Sequence, residues 1–201
     1  MFERRDGIWR LIDQSQDHDI AEDTLTAVDA LLTFLMSASD ALAKVADGIL
    51  EIKMEPAFIG WQKKDWLKAI TKKNAALGAL FHISAKPAHA LEVRRFLRNC
   101  IHDEGLDAVT VQASSRTQET WIVPPAAQAT EITDAMIKLE PLEKWGVHDE
   151  PDGARYAEVG PLIETLLVET LAALNSAIKR LDEVLETMTT TPNLATKSHI
   201  N

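Results

Sequence analysis

The sequence predicts a mainly α-helical protein of the α+β kind. It has two long heptad-patterned helices near the chain ends packed as a bundle, and a mixed middle region containing a β-hairpin. Three observations predict this. Apolar residues near each end recur at alternating intervals of three and four. The period drops to two around residues 108–123, with β-prone residues. Charge is segregated along the chain, so its parts are unlike one another. With 201 residues, 46% hydrophobic and 26% charged, the composition is that of an ordinary globular domain, and residues 1–201 read as one. Such a chain is long enough to bury a core without staples.

Residues 1–18 read as an arm or short helix with Ile8, Trp9, Leu11 and Ile12 available to dock. Asp17, Asp19 and Asp23 suit a helix start, where carboxylates meet free amides and the positive end of the dipole. The first long helix is expected over about 20–54, stopping before Pro56. Its seam is Leu25, Val28, Leu32, Leu35, Ser39, Leu42, Ala46 and Ile49. The second is expected over about 161–188, with Leu167, Leu171, Leu174, Ile178, Leu181, Leu185 and Met188 as its seam. At ~1.5 Å per residue each spans roughly 40–50 Å. Seams of that length need cover, from each other or from another chain, in the manner of a coiled coil.

The mixed middle runs over about 60–140. Lys63 to Asn74 has helical spacing. Leu77 to Ala85 fits either a helix or a strand with Phe81 and Ile83 inward, and Gly78 weakens both. Pro87 suits a helix start, and Ala90, Val93, Leu97 and Cys100 share one face of a helix over about 88–104, with Gly105 as its stop. Ala108–Ala113 and Thr120–Val123 form the hairpin, joined by the polar run from Ser114 to Gln118. A helix over about 127–139 follows, then the main loop at about 140–161, rich in Pro and Gly. Tyr156–Val159 is short for a fourth strand, so a helical body with one hairpin is preferred to a ferredoxin-like αβ unit. The tail, 189–201, is expected to fray.

Charge narrows the function classes. From Gly60 to Cys100, nine Lys/Arg face only Asp65 and Glu92, a net +7, inside a chain of net −10. Net acidity argues against general DNA coating but leaves a local anionic partner open. Trp61, Lys64, Lys68, Lys72, Arg94, Arg95 and Arg98 are the candidate basic binding surface. Lysines four apart sit one turn apart, near the spacing of successive phosphates, and a Trp offers a stacking face. The plainer reading is a solvated helix face with both Trp in the core.

Chemistry-bearing clusters are weak. Cys100 and His102 stand two apart on a helix and point apart. His82, His89 and His102 match no metal spacing, and the acidic turn from His148 to Gly153 lacks the ligand order of a calcium loop. No phosphate loop, dinucleotide glycine pattern, nucleophile elbow or zinc pair is present. No cofactor or metal is expected, and no catalytic residue is assigned.

The charged N-terminus does not suit a signal peptide, and Asp29, Asp40 and Lys44 interrupt the most apolar stretch. The expectation is a cytoplasmic protein without a membrane partner. Its expected function is a non-catalytic protein–protein interaction or assembly subunit, self-associating or within a larger complex. Its helix-packing interface would comprise Leu25, Val28, Leu32, Leu35, Leu42 and Ile49 with Leu167, Leu171, Leu174, Ile178, Leu181 and Leu185. The alternatives are a subunit binding single-stranded RNA or DNA through 61–98, and a small-molecule or enzymatic domain with a pocket near the hairpin.

Overall fold

A computed structural model describes residues 17–101, 106–112, 118–124, 126–149 and 155–190. The N-terminal arm, the hairpin turn, the stop at Gly105, most of the acidic turn and the tail beyond 190 lie outside these residues. The element order is α1 (Asp17–Ile49), a 3-10 turn (Pro56–Phe58), α2 (Lys64–Lys73), α3 (Ala75–Leu80) and α4 (Lys86–Asn99). Strands β1 (Asp107–Gln112) and β2 (Gln118–Val123) follow, then α5 (Ala126–Ile137) and a second 3-10 turn (Leu142–Trp145). Strands β3 (Val147–Asp149) and β4 (Arg155–Glu158) lead into α6 (Val159–Thr190).

The two long helices run side by side in the same direction. Val28 and Leu32 of α1 share a core cluster with Leu162 and Leu166 of α6. Farther along both helices, Ala43, Ala46 and Leu50 share a second cluster with Ala177 and Leu181. Helix α4 runs against both: Leu91 in its first half lies in the second cluster, Arg94 at its middle bonds Leu35 and Ser39, and Leu97 and the following Cys100 lie in the first cluster. The sequence requires this return: a parallel pair from the two chain ends leaves the middle to carry the chain back.

Helix α1 stops at Ile49, five residues before the expected end at Met54. Asp47 is the cause. Its backbone carbonyl accepts from the Ile52 amide at 3.1 Å, and its carboxylate accepts from the Met54 amide at 3.4 Å and from Trp66 Nε1 at 3.1 Å. The chain wraps this side chain in a turn that puts Glu51 and Lys53 at φ of 50° and 60°.

Residues 77–85 are helix and turn, not strand. Asn74 caps α3 by accepting from the Leu77 amide at 2.9 Å. Gly78 lets α3 fold onto α2: a Cβ there would lie 2.2 Å from Thr71 Oγ1 and 2.7 Å from Thr71 Cα.

The hairpin is present, but the sheet has four strands, all pairs antiparallel, in the order β1-β2-β4-β3. Tyr156 does belong to a strand, and the expected loop at 140–161 supplies both β3 and β4. Short strands suffice because one cross-sheet row is apolar: Ala108 pairs with Ile122, Ile122 with Ala157, and Ala157 with Val147. All four join the first core cluster, which also holds Ile132, Met136 and the fully buried Trp145. The outer face stacks Trp121 on Tyr156 with centroids 3.9 Å apart, and Tyr156 beside His148 at 5.1 Å.

Candidate interaction surfaces

The basic segment divides. Lys64, Lys68 and Lys72 line the exposed side of α2, and Lys68 stands 3.6 Å from Asp65. Trp61 and Arg94 do not join them, because each is only 4% exposed. The Trp61 ring stacks on Phe81 with centroids 4.1 Å apart and meets Trp66 edge-on at 4.9 Å, while its Nε1 donates to the Ser39 carbonyl at 2.9 Å. Trp66 is fully buried, so neither ring offers a stacking face beside the lysines.

Arg94 reaches across from α4 to α1. Its Nη1 donates to the Leu35 carbonyl at 2.8 Å and to Ser39 Oγ. Burial lowers its pKa to about 10, with Asp40 partly offsetting the effect, so it remains charged at neutral pH. Arg95 and Arg98 are half-buried, and the Arg95 guanidinium lies 4.6 Å over the Phe96 ring. The seven-residue surface expected from sequence thus reduces to three exposed lysines, two half-buried arginines and two interior residues. Residue type alone does not separate a cation that meets solvent from one that caps a neighbouring helix.

The packing seams divide too. On α1, Val28, Leu32 and Leu35 are buried, with Leu25, Leu42 and Ile49 half-buried, as the heptad pattern predicts. On α6, Leu174 and Leu181 are buried and Leu167 is half-buried, but Leu171, Ile178 and Leu185 are 42–44% exposed. The inward stripe of α6 is Leu162, Leu166, Thr170, Ala173, Ala177 and Leu181. The expected α6 seam holds only large residues, whereas the small Ala173 and Ala177 face inward and admit the close approach of neighbouring helices.

Uncovered apolar surface therefore lies on both long helices. On α1, Phe34 is 69% and Val45 52% exposed; on α6, Val168 is 57% and Met188 55% exposed. The α1 surface was legible: every position of it stands one residue before a position of the predicted seam, so the helix carries two adjacent seams. Both helices contain a stretch long and apolar enough, by composition, to cross a membrane, of which 22% and 33% is buried. Within that stretch α1 carries the exposed Asp40, and a carboxylate near a bilayer centre is penalised by about 2.5–3.5 kcal/mol.

A cavity of about 20 Å³, with Leu97, Ile122, Ile132, Met136 and Leu162 in its walls, has room for about one water. His82 lies elsewhere, exposed in the turn before α4, with Nδ1 2.8 Å from Ser84 Oγ. On the sheet, His148 Nε2 meets Glu158 Oε1 at 2.7 Å, and Arg155 joins Asp149 at 2.7 Å and Thr133 at 2.8 Å. Glu140 ties Lys86 and Lys144 together at 3.3 and 2.9 Å; both hydrogen bonds lower its pKa, and the same pair raises that of Lys144. Among the described residues no group of three His, Cys, Asp or Glu is placed to hold a metal ion. No family model, curated protein or solved structure matches the chain.

Proposed function

We propose that this chain is a non-catalytic assembly subunit that binds protein through its long helices. The observation that carries the reading is the second, uncovered seam of α1, with Phe34 and Val45 the most exposed of its large residues. Monomeric proteins rarely expose long contiguous apolar faces, and those that do use them for association. A rigid helix held by a core on its other side presents such a face with little ordering cost. The burial of Trp61 and Trp66 weighs against single-stranded nucleic acid at the 61–98 segment, since base stacking needs open rings.

The test is the size of the native particle in an extract of the source cells. Gel filtration with mass detection should place the chain well above its own 22.3 kDa. Joint substitution of Phe34, Val45, Leu171 and Ile178 by Ser should return it to the monomer position. A chain that elutes as a monomer in the extract would overturn the reading.

A further inference from the structure

The uncovered seam of α1 has a pattern that selects its own partner. Its positions run from Thr24 to Gly48 at intervals 3-4-3-4-3-4-3, a series that reads the same in both directions about residue 36. Two copies of α1 laid antiparallel about that centre bring residue i opposite residue 72 − i. The pairs are Phe34 with Ala38, Leu31 with Ala41, Val45 with Ala27, and Gly48 with Thr24. Every large side chain meets a small one. Ala27, Phe34, Ala41, Val45 and Gly48 are exposed, Thr24, Leu31 and Ala38 are half-buried, and a Cβ added at Gly48 would meet open space. A parallel pairing would instead set Phe34 against Phe34.

Charge favours the same arrangement. Helix α1 begins among Asp17, Asp19, Glu22 and Asp23. Its other end carries α2, because Trp66 and Ile70 pack with Ala43, Ala46 and Leu50, and there Lys64, Lys68 and Lys72 are exposed. Antiparallel pairing brings the acidic end of one copy to the lysine-bearing end of the other, twice. Parallel pairing would gather both acidic ends together.

We infer that a second copy of this chain covers the α1 seam, antiparallel, on a two-fold axis at residue 36. This rests on the assembly reading above and specifies its partner. A two-fold contact is self-complementary by necessity, which is what the palindrome supplies. The strip is about 36 Å long at ~1.5 Å per residue and one helix wide, burying on the order of 700 Å² over both copies. That is the size of a weak, exchanging contact, so association depends on protein concentration.

Purified full-length protein tests this. Sedimentation should show a monomer–dimer equilibrium, weakened by raised salt. Phe34→Asp should weaken it roughly thirtyfold, the scale of losing a central aromatic anchor, with an unchanged circular dichroism spectrum. Spin labels in a Cys100→Ala background read the register. Across the dimer, Thr26→Cys labels should be separated by about 30 Å along the helix axes, and Ser37→Cys labels by only a few ångströms. Short distances at both sites would mean parallel pairing and overturn the inference. A dimer indifferent to Phe34→Asp would place the contact elsewhere; the inference would fall and the assembly reading stand. So would a purified monomer that still runs large in the extract. Binding to phosphatidylcholine vesicles that Phe34→Asp abolishes would assign the seam to lipid and overturn it as well.

Discussion

The two core clusters stabilise the two ends of the molecule by different means. The first, under the sheet, is held by shape. Ile122, Ile132, Met136, Leu162 and Leu166 pack together there with the fully buried Trp145. The second, under α2 and α3, is held by direction. Trp61 and Trp66 each send an indole N–H to an acceptor on α1, the Ser39 carbonyl and the Asp47 carboxylate. The contrast follows from the elements. Strands and long helices bring continuous apolar rows. Short helices of ten and six residues bring few, so large rings and fixed hydrogen bonds make up the difference.

The largest effects should separate the clusters. Trp66→Ala should destabilise by about 4–5 kcal/mol and Ile132→Ala by about 3 kcal/mol, measured by urea unfolding. The sharper pair puts leucine at both sites. Ile132→Leu should cost under about 1.5 kcal/mol, because a shape-held core repacks. Trp66→Leu should cost well more, since it both opens a cavity and removes a donor from the buried Asp47. Equal losses for Ile132→Leu and Trp66→Leu would dissolve the distinction.

Asp47→Ala comes next, at about 2–3 kcal/mol, because the buried Trp66 Nε1 and the Met54 amide lose an acceptor. The loss should appear in hydrogen exchange at residues 50–54 before it appears under the sheet. Uniform acceleration across both clusters would mean that Asp47 stabilises the whole molecule, not its own end.

Arg94 sits at the junction between the clusters and has a testable pH signature. Its folded pKa is about 10, well below that of the free group. Below pH 10 both states hold the proton and the cost of burying the cation is constant. Above pH 10, until the unfolded chain titrates as well, the unfolded chain binds more protons than the folded one, so this group's contribution to stability rises with pH. Wild type should therefore gain on Arg94→Met between pH 9 and pH 11. A difference that stays flat over that interval would mean the guanidinium is better solvated than its burial indicates.

Much of this architecture was legible in the sequence, and the failures have a common cause. The two long helices, the hairpin and the inward face of α4 follow from periodicity, which reports how a face meets solvent. The inward stripe of α6 was displaced because it uses Thr170, Ala173 and Ala177, residues that carry little hydrophobic signal yet decide how near two helices come. Strands β3 and β4 were hidden among Pro and Gly because each is too short to show alternation alone. Trp61 and Arg94 fall in the candidate basic surface because a basic run looks the same whether its members meet water or a helix backbone; the plainer reading, with both Trp in the core, agrees with their burial. The second row of α1 lies one residue ahead of the predicted seam, but that it is uncovered follows only from the exposure of Phe34 and Val45.

The smallest expected effect concerns the turn where the direction-held end begins. Glu51 and Lys53 both adopt left-handed backbone conformations, which cost a residue with a Cβ roughly 1–2 kcal/mol. Glycine avoids that strain but loses more backbone entropy on folding, by roughly 0.5–1 kcal/mol. Glu51 is exposed, and its backbone amide bond to the Gly48 carbonyl at 3.2 Å survives substitution. Glu51→Gly should therefore stabilise by a few tenths to about 1 kcal/mol, and Glu51→Ala, which keeps the Cβ, should not. Placed in the Asp47→Ala background, the gain should shrink, because without that carboxylate the turn is no longer held in the strained geometry that glycine relieves. If Glu51→Gly gives the same gain in both backgrounds, the strain belongs to the turn itself, and Asp47 is a hydrogen-bond acceptor without a part in ending the helix.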